Sequence, residues 1–340
     1  MSASPRRRAR IGLVGLGRMG RVHAASLAER CPSAELVGVV DERADLARRL
    51  ADELGVEHFR SVEDLLGYPG LDGVVLATPT ASHAPLAIAA ARAGRHVFTE
   101  KPISLEREAT VAAIEAAAGA GVVLQVGFHR RFDPDFVAAA ERVRSGELGD
   151  VYLFRASLRD MTPPRPEFLS GSGGFFLDMS IHDLDAARWL VGEVDEVAAY
   201  GASLSDPAFG ELGDFDNAIV VLRFASGALG VIDNSRCAGY GYECSLELLG
   251  SRATVRVVNP WRHGYEWREP GAASHPLVET FEERYPVAYA AELEGFARSI
   301  LDGSPPRAAG ADGLAAFDLA RAAGESCRLG RPVRVAAVAG

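Results

Sequence analysis

An apolar strand, Ile11-Gly12-Leu13-Val14, runs directly into Gly15-Leu16-Gly17-Arg18-Met19-Gly20, and a helical stretch, RVHAASLAE from Arg21 to Glu29, follows at once. Few folds tolerate three glycines at this spacing between a strand and a helix. Gly15 permits a tight turn, Gly17 lets the backbone approach a pyrophosphate, and Gly20 allows helix and strand to pack closely. The helix start then offers unpaired N–H groups and the positive end of its dipole to an anion. Arg18 and Met19 fall in that first turn. An acidic residue, Asp41, closes the next apolar strand, where a carboxylate binds ribose hydroxyls and repels a 2′-phosphate. The pattern therefore predicts NAD as cofactor, with Arg43 as a group that tolerates some NADP.

The strand–helix alternation continues. Leu36–Val40, Gly73–Ala77, His96–Phe98 and Val122–Val126 read as strands, with helices over Ala44–Glu53, Ala84–Ala93 and Glu106–Ala118 between them. Strands that are short and apolar on both faces, each followed by a helix, predict a doubly wound parallel sheet. After residue 126 the pattern changes. Val151–Leu158, Val194–Ser203, Ala218–Phe224, Ala228–Ser235, Glu243–Leu249 and Ala253–Val258 read as longer strands, several joined at Ser226-Gly227 and Gly250-Ser251. They predict a large, mostly antiparallel open sheet. A helix over Asp178–Leu190 interrupts the series, and two helices, Val287–Leu301 and Asp312–Leu329, close it. The expectation is an α/β chain of two domains, 1–126 binding the dinucleotide and 127–340 binding substrate and building oligomers. Pro163–Gly174 reads as a mobile loop.

Composition narrows the function. The net charge of −10 argues against a nucleic-acid partner. No apolar run reaches the roughly 18–20 residues of a membrane span. The apolar stretch after Arg6-Arg7-Arg8 is too short for an export signal, so Met1–Ala9 reads as a basic tail on a cytoplasmic protein. Cys31, Cys237, Cys244 and Cys327 form no CxxC pair, and no His/Cys/Asp spacing suggests a metal.

Of the 36 basic residues only one, Lys101, is lysine. A chain that uses arginine wherever positive charge suffices keeps lysine where a compact point charge is needed. Lys101 lies in Thr99-Glu100-Lys101-Pro102, at the end of a strand, where ligands of open α/β sheets bind. Thr78-Pro79 and His83 follow the neighbouring strand at the same edge, as candidate cofactor contacts with Glu100. For His83 an exposed helix-start histidine is the competing reading. Asp178 and His182 are four residues apart, a spacing that stacks them on one helix face. There a carboxylate can orient an imidazole as a general base, although Asp183 and Asp185 fit a solvated acidic face equally well.

LVGLGRMGRVHA, Asp41, TPTASH, EKPISL, GFHRRFDP and GGFFLDMSIHDLDAARWL, in this order, resemble the glucose–fructose oxidoreductase/inositol dehydrogenase (Gfo/Idh/MocA) family over nearly the whole chain. RRFDPDF, DMSIHD and NSRCAGYGYE are similar to its inositol dehydrogenase members. The resemblance implies oxidation of a ring secondary alcohol of a cyclic polyol, myo-inositol first. Alternatives are another polyol or sugar (scyllo-inositol, a hexose, an anhydrosugar) and a non-catalytic NAD-binding sensor. It implies catalytic roles for Lys101, Asp178 and His182, substrate contacts by Arg131, Asp160 and Tyr240, and assembly into dimers or tetramers. Where some inositol dehydrogenases carry His-Arg-Asn, this chain has Leu158-Arg159-Asp160, which leaves the polyol open.

Overall fold

The computed structural model describes residues 7–335 of the chain. They form two compact units, one running to Phe132 and taking back Pro286–Leu314, the other made of Asp133–Tyr285 and the residues from Ala315. The first unit therefore does not end at residue 126. The helix Pro286–Asp302 belongs to it because Ala290, Leu293, Phe296 and Ala297 form a helical stripe. That stripe is buried in one core with Ile11, Leu13, Val39, Val75 and Phe98 of the sheet. Sequence order alone places this helix with the second domain; the packing of its apolar face decides otherwise.

Six parallel strands build the first unit: β1 (Ala9–Val14), β2 (Ala34–Val40), β3 (Glu57–His58), β4 (Gly73–Leu76), β5 (His96–Thr99) and β6 (Leu124–Val126). Their order in the sheet is β3-β2-β1-β4-β5-β6. The winding reverses between β1 and β4, and a crevice opens there outside the carboxyl ends of the strands. Ala9 is fully buried at the start of β1, Arg7 pairs with Asp72, and Arg8 lies 3.4 Å from Glu35. The basic tail expected over Met1–Ala9 is thus shorter, and its first six residues lie outside the described ones.

The second unit holds β7 (Val151–Arg159), β8 (Val194–Ala202), β9 (Asn217–Phe224), β10 (Leu229–Ser235), β11 (Glu243–Gly250), β12 (Thr254–Val257) and β15 (Val333–Arg334) in one sheet. A separate hairpin comprises β13 (Trp267–Glu269) and β14 (Ala272–Ser274). The sheet order is β12-β11-β7-β10-β9-β8-β15, antiparallel except where β10 runs parallel to β7. Alternation sets its two faces. In β9, Ala218, Val220, Leu222 and Phe224 are buried while Ile219 and Val221 are exposed. On the exposed side Leu229 registers with Leu153, and Tyr200 with Ile219. The segment expected as a loop over Pro163–Gly174 includes one helical turn, Pro166–Leu169. Among the described residues no helix is long and apolar enough to cross a membrane.

Candidate active site

In the first unit the expected cofactor residues gather at the carboxyl ends of β1, β2, β4 and β5. Gly15 has φ +88°, and a Cβ there would lie 2.7 Å from the Ala77 carbonyl oxygen. A Cβ on Gly20 would lie 2.0 Å from the Gly15 oxygen, whereas one on Gly17 would meet nothing within 4 Å. The loop is therefore closed against the protein at its two ends and open at its centre. The helix Arg18–Glu29 starts from Gly17 with no side-chain cap and no acidic residue in its first turn. Its first N–H groups and dipole end suit an anion, and this geometry fits a dinucleotide pyrophosphate. Asp41 Oδ2 accepts from the Leu16 N–H at 2.7 Å and Oδ1 from the Arg43 N–H at 2.9 Å. Its carboxylate thus ties the end of β2 to the glycine loop.

The turns after β4 and β5 are joined by His83. Nε2 lies 2.7 Å from the Thr78 carbonyl oxygen and Nδ1 2.9 Å from that of Pro102. The imidazole is buried, so this is neither an exposed helix start nor a ring open to solvent. Thr78 Oγ1 accepts from the Ser82 hydroxyl at 2.7 Å, which shapes the Thr78-Pro79 turn. Lys101 is half-buried directly after β5, and its bond to Pro102 is cis. Glu100, expected at the cofactor, turns its carboxylate to His23. Arg131 is buried, with its guanidinium donating to the Arg307 carbonyl at 2.8 Å and paired with Asp312 at 3.1 Å. That places Arg131 in the frame of the first unit instead of presenting it as an open guanidinium.

In the second unit Asp178 does not sit in an α-helix. Phe176–Ser180 is a π-helical turn, and the α-helix Ile181–Val191 begins only after it. The four-residue spacing argument from α-helical geometry therefore has to be replaced by the wider π geometry. Arg236, only 2 % exposed directly after β10, donates from its guanidinium to Asp178 Oδ2 at 3.0 Å and lies 3.6 Å from Asp214. Asn234, two residues earlier, receives the Ser180 hydroxyl at 2.7 Å and donates to Asp183 Oδ2 at 2.9 Å. One amide thus bridges the π turn and the first turn of the helix, on either side of His182. Asp183 is fully buried and Asp185 nearly so, which removes the reading of a solvated acidic face. Asp160 follows β7, its N–H bonded to the Ser235 carbonyl at 2.9 Å. The hydroxyl of Tyr240, which is half-exposed, contacts Arg159 at 3.1 Å and Glu243.

Sequence reading missed Arg236 and Asn234. A signal was present: Asn234 takes an inward position of the β10 alternation, after Gly230 and Ile232, and Arg236 follows two residues on. It also missed a buried group of His23, Glu100 and Glu292, one ligand-type atom of each lying within 4.8 Å of the others.

Comparison with known proteins matches residues 9–128 to the GFO/IDH/MocA oxidoreductase family model, described as an NAD-binding Rossmann fold. Residues 136–256 match a GFO/IDH/MocA C-terminal domain. A myo-inositol 2-dehydrogenase of Thermotoga maritima is 41 % identical, over 97 % of this chain and 100 % of that one. The crystal structure of a myo-inositol dehydrogenase from Corynebacterium glutamicum superposes with TM-score 0.91 at 38 % identity, covering 96 % of this chain and 98 % of that one. A scyllo-inositol dehydrogenase of Lactobacillus casei, solved with bound NAD(H) and scyllo-inositol, gives 0.90 at 30 % identity, over 97 % and 100 %.

Proposed function

Because the chain belongs to the GFO/IDH/MocA oxidoreductase family, we propose that it oxidises a ring secondary alcohol of a cyclic polyol with NAD, taking myo-inositol to 2-keto-myo-inositol. The observation that carries this reading is the place of the only lysine, at a strand end in line with the open glycine loop. Gly15, Gly17, Arg18, Met19, Asp41, Arg43, Thr78 and Pro79 hold the cofactor, which when bound supplies the hydride acceptor. His182 takes the hydroxyl proton. Lys101 donates a hydrogen bond that stabilises negative charge as it develops on the substrate. Asp178, fixed by Arg236, orients His182, and Asp160 and Tyr240 serve the other ring hydroxyls. Arg131 acts through the frame it braces. The scyllo-inositol relative makes that stereoisomer the second substrate to test. Steady-state turnover over a panel of cyclitols and hexoses with NAD tests the assignment. A clear preference for a hexose, or no turnover with any polyol, would overturn it.

Asp41 sets the cofactor preference. Wild type is expected to prefer NAD strongly over NADP, and Asp41→Ser to narrow the ratio of kcat/KM values by roughly tenfold or more, since one repelled charge near a phosphate is worth about 1–2 kcal/mol. Equal efficiency of wild type with both cofactors would refute the assignment.

We also assign the exposed face of the second sheet to a homotetramer acting in the cytoplasm. Tyr200 is 67 % exposed, Ile219 50 % and Leu229 47 %, in a face that alternation leaves uncovered. Apolar surface of this kind is buried by a second copy more readily than left in water. Light scattering at micromolar concentration is expected to give four times the chain mass, and Ile219→Lys to reduce it. A monomeric wild type contradicts this.

A further inference from the structure

Beneath the glycine loop, three ionisable side chains converge in the core of the first unit and take no part in the reaction above. His23 comes from the helix Arg18–Glu29, Glu100 from the end of β5, and Glu292 from the helix Pro286–Asp302. His23 Nε2 lies 2.7 Å from Glu100 Oε1. Glu292 is 0 % exposed, and neither of its carboxyl oxygens has a hydrogen-bond partner among the described residues. Rings close the site: His23 meets Phe98 and Tyr289 edge-on, at centroid distances of 5.4 and 6.1 Å.

Two carboxylates this close in an apolar core do not both stay ionised, and the surroundings decide which one gives way. Burial alone raises the pKa of Glu100. The hydrogen bond from His23, with the charges of His23, Lys101 and His83, outweighs burial and holds it below the ordinary range. Glu292 has only burial and the charge of Glu100 acting on it, and both push it well above the ordinary range. Cys31, whose thiol donates to the Ala290 carbonyl at 3.3 Å, is pushed up to about 12, chiefly by burial.

We propose that Glu292 is kept as a neutral acid in a His23–Glu100–Glu292 cluster that pins Glu100 as a carboxylate and so positions the lysine turn. Glu100 immediately precedes Lys101 in the turn that follows β5, so the backbone that carries one side chain carries the other. Gly127 passes so close that a Cβ there would lie 3.1 Å from the Glu100 carboxylate, so this carboxylate has little room to shift. A Glu100 carboxylate held by His23 therefore fixes the backbone from which Lys101 projects. The catalytic meaning of this anchor rests on the role given to Lys101 above; the protonation state does not.

The test uses the full chain as wild type, Glu292→Gln and Glu100→Gln. Infrared difference spectra at neutral pH should show the carbonyl stretch of one protonated carboxyl in wild type, lost in Glu292→Gln. Above the ordinary carboxylate range, folded Glu292 keeps its proton after the unfolded chain has lost it, so stability falls as pH rises until the folded group also ionises. The melting temperature of wild type should therefore fall more steeply with pH than that of Glu292→Gln. Because Lys101 is the only lysine, isotopically labelled lysine gives a single side-chain signal. Glu100→Gln should shift it and lower kcat about tenfold, with NAD affinity changed less than about twofold. Equal slopes and no lost carbonyl band would overturn the neutral acid, as would a stoichiometric divalent metal in the purified protein. An unshifted lysine signal would overturn the positioning role. Failure of wild type to oxidise any polyol would instead count against the proposed function, because the infrared, melting and lysine readouts need no substrate.

Discussion

Lys101→Arg should slow turnover about a hundredfold or more, a loss of roughly 2.7 kcal/mol of transition-state stabilisation. The substitution keeps the charge, so a lysine that served only as a positive surface group would tolerate it. This chain does so at every other basic position, all of which are arginine. The guanidinium is longer, planar and forked, and it cannot put one proton on a developing alkoxide without displacing the ring that carries it. Lys101 is half-buried directly after β5. The affinity for NAD should change much less, because the proposed cofactor contacts, the glycine loop and Asp41, lie at other strand ends. Turnover and NAD titration on the same preparation check both parts. Near-normal turnover would make the lysine a survivor of composition and remove the electrostatic half of the mechanism.

Most of the first unit is legible in the sequence because its signals are local. A glycine at φ +88° and glycines that approach backbone closely leave the same mark in sequence and in structure. Strands such as Gly73–Leu76 are apolar throughout because both faces are covered. In the second sheet, the alternation of β9 gives its register away. What the sequence hides is what distant segments do together. The apolar stripe of Pro286–Asp302 shows a buried face but not which sheet receives it. Asp178 looks α-helical because a π turn has no distinctive composition, and its bond to Arg236 spans 58 positions of chain. Nothing in the sequence around Glu292 marks it as buried. Only the packing shows that it is buried beside a second carboxyl. His83 was ambiguous for the same reason: its two carbonyl partners lie 5 and 19 positions away and belong to different turns.

Replacing His182 by alanine is expected to reduce turnover by roughly a hundredfold to ten-thousandfold, the range general-base catalysis supplies. The hydroxyl proton must leave as hydride does, and without the imidazole only solvent can take it. The residual rate should therefore climb with pH as hydroxide replaces the missing base, past the pH at which wild type levels off. The surrounding frame argues that this effect is chemical and not structural. Asn234 ties Ser180 to Asp183 through its own amide, and the buried Arg236 holds the part-buried Asp178 through an ion pair, and neither contact uses His182. The melting temperature should consequently shift by only a few degrees, as for the loss of about 1 kcal/mol or less. Arg236→Ala is the contrasting case. It takes the Arg236 cation away from the part-buried Asp178, so it should lower both stability and kcat, whereas His182→Ala lowers kcat with little change in stability. If His182→Ala retains wild-type turnover with a flat pH profile, the base lies elsewhere and Asp178 becomes the first alternative.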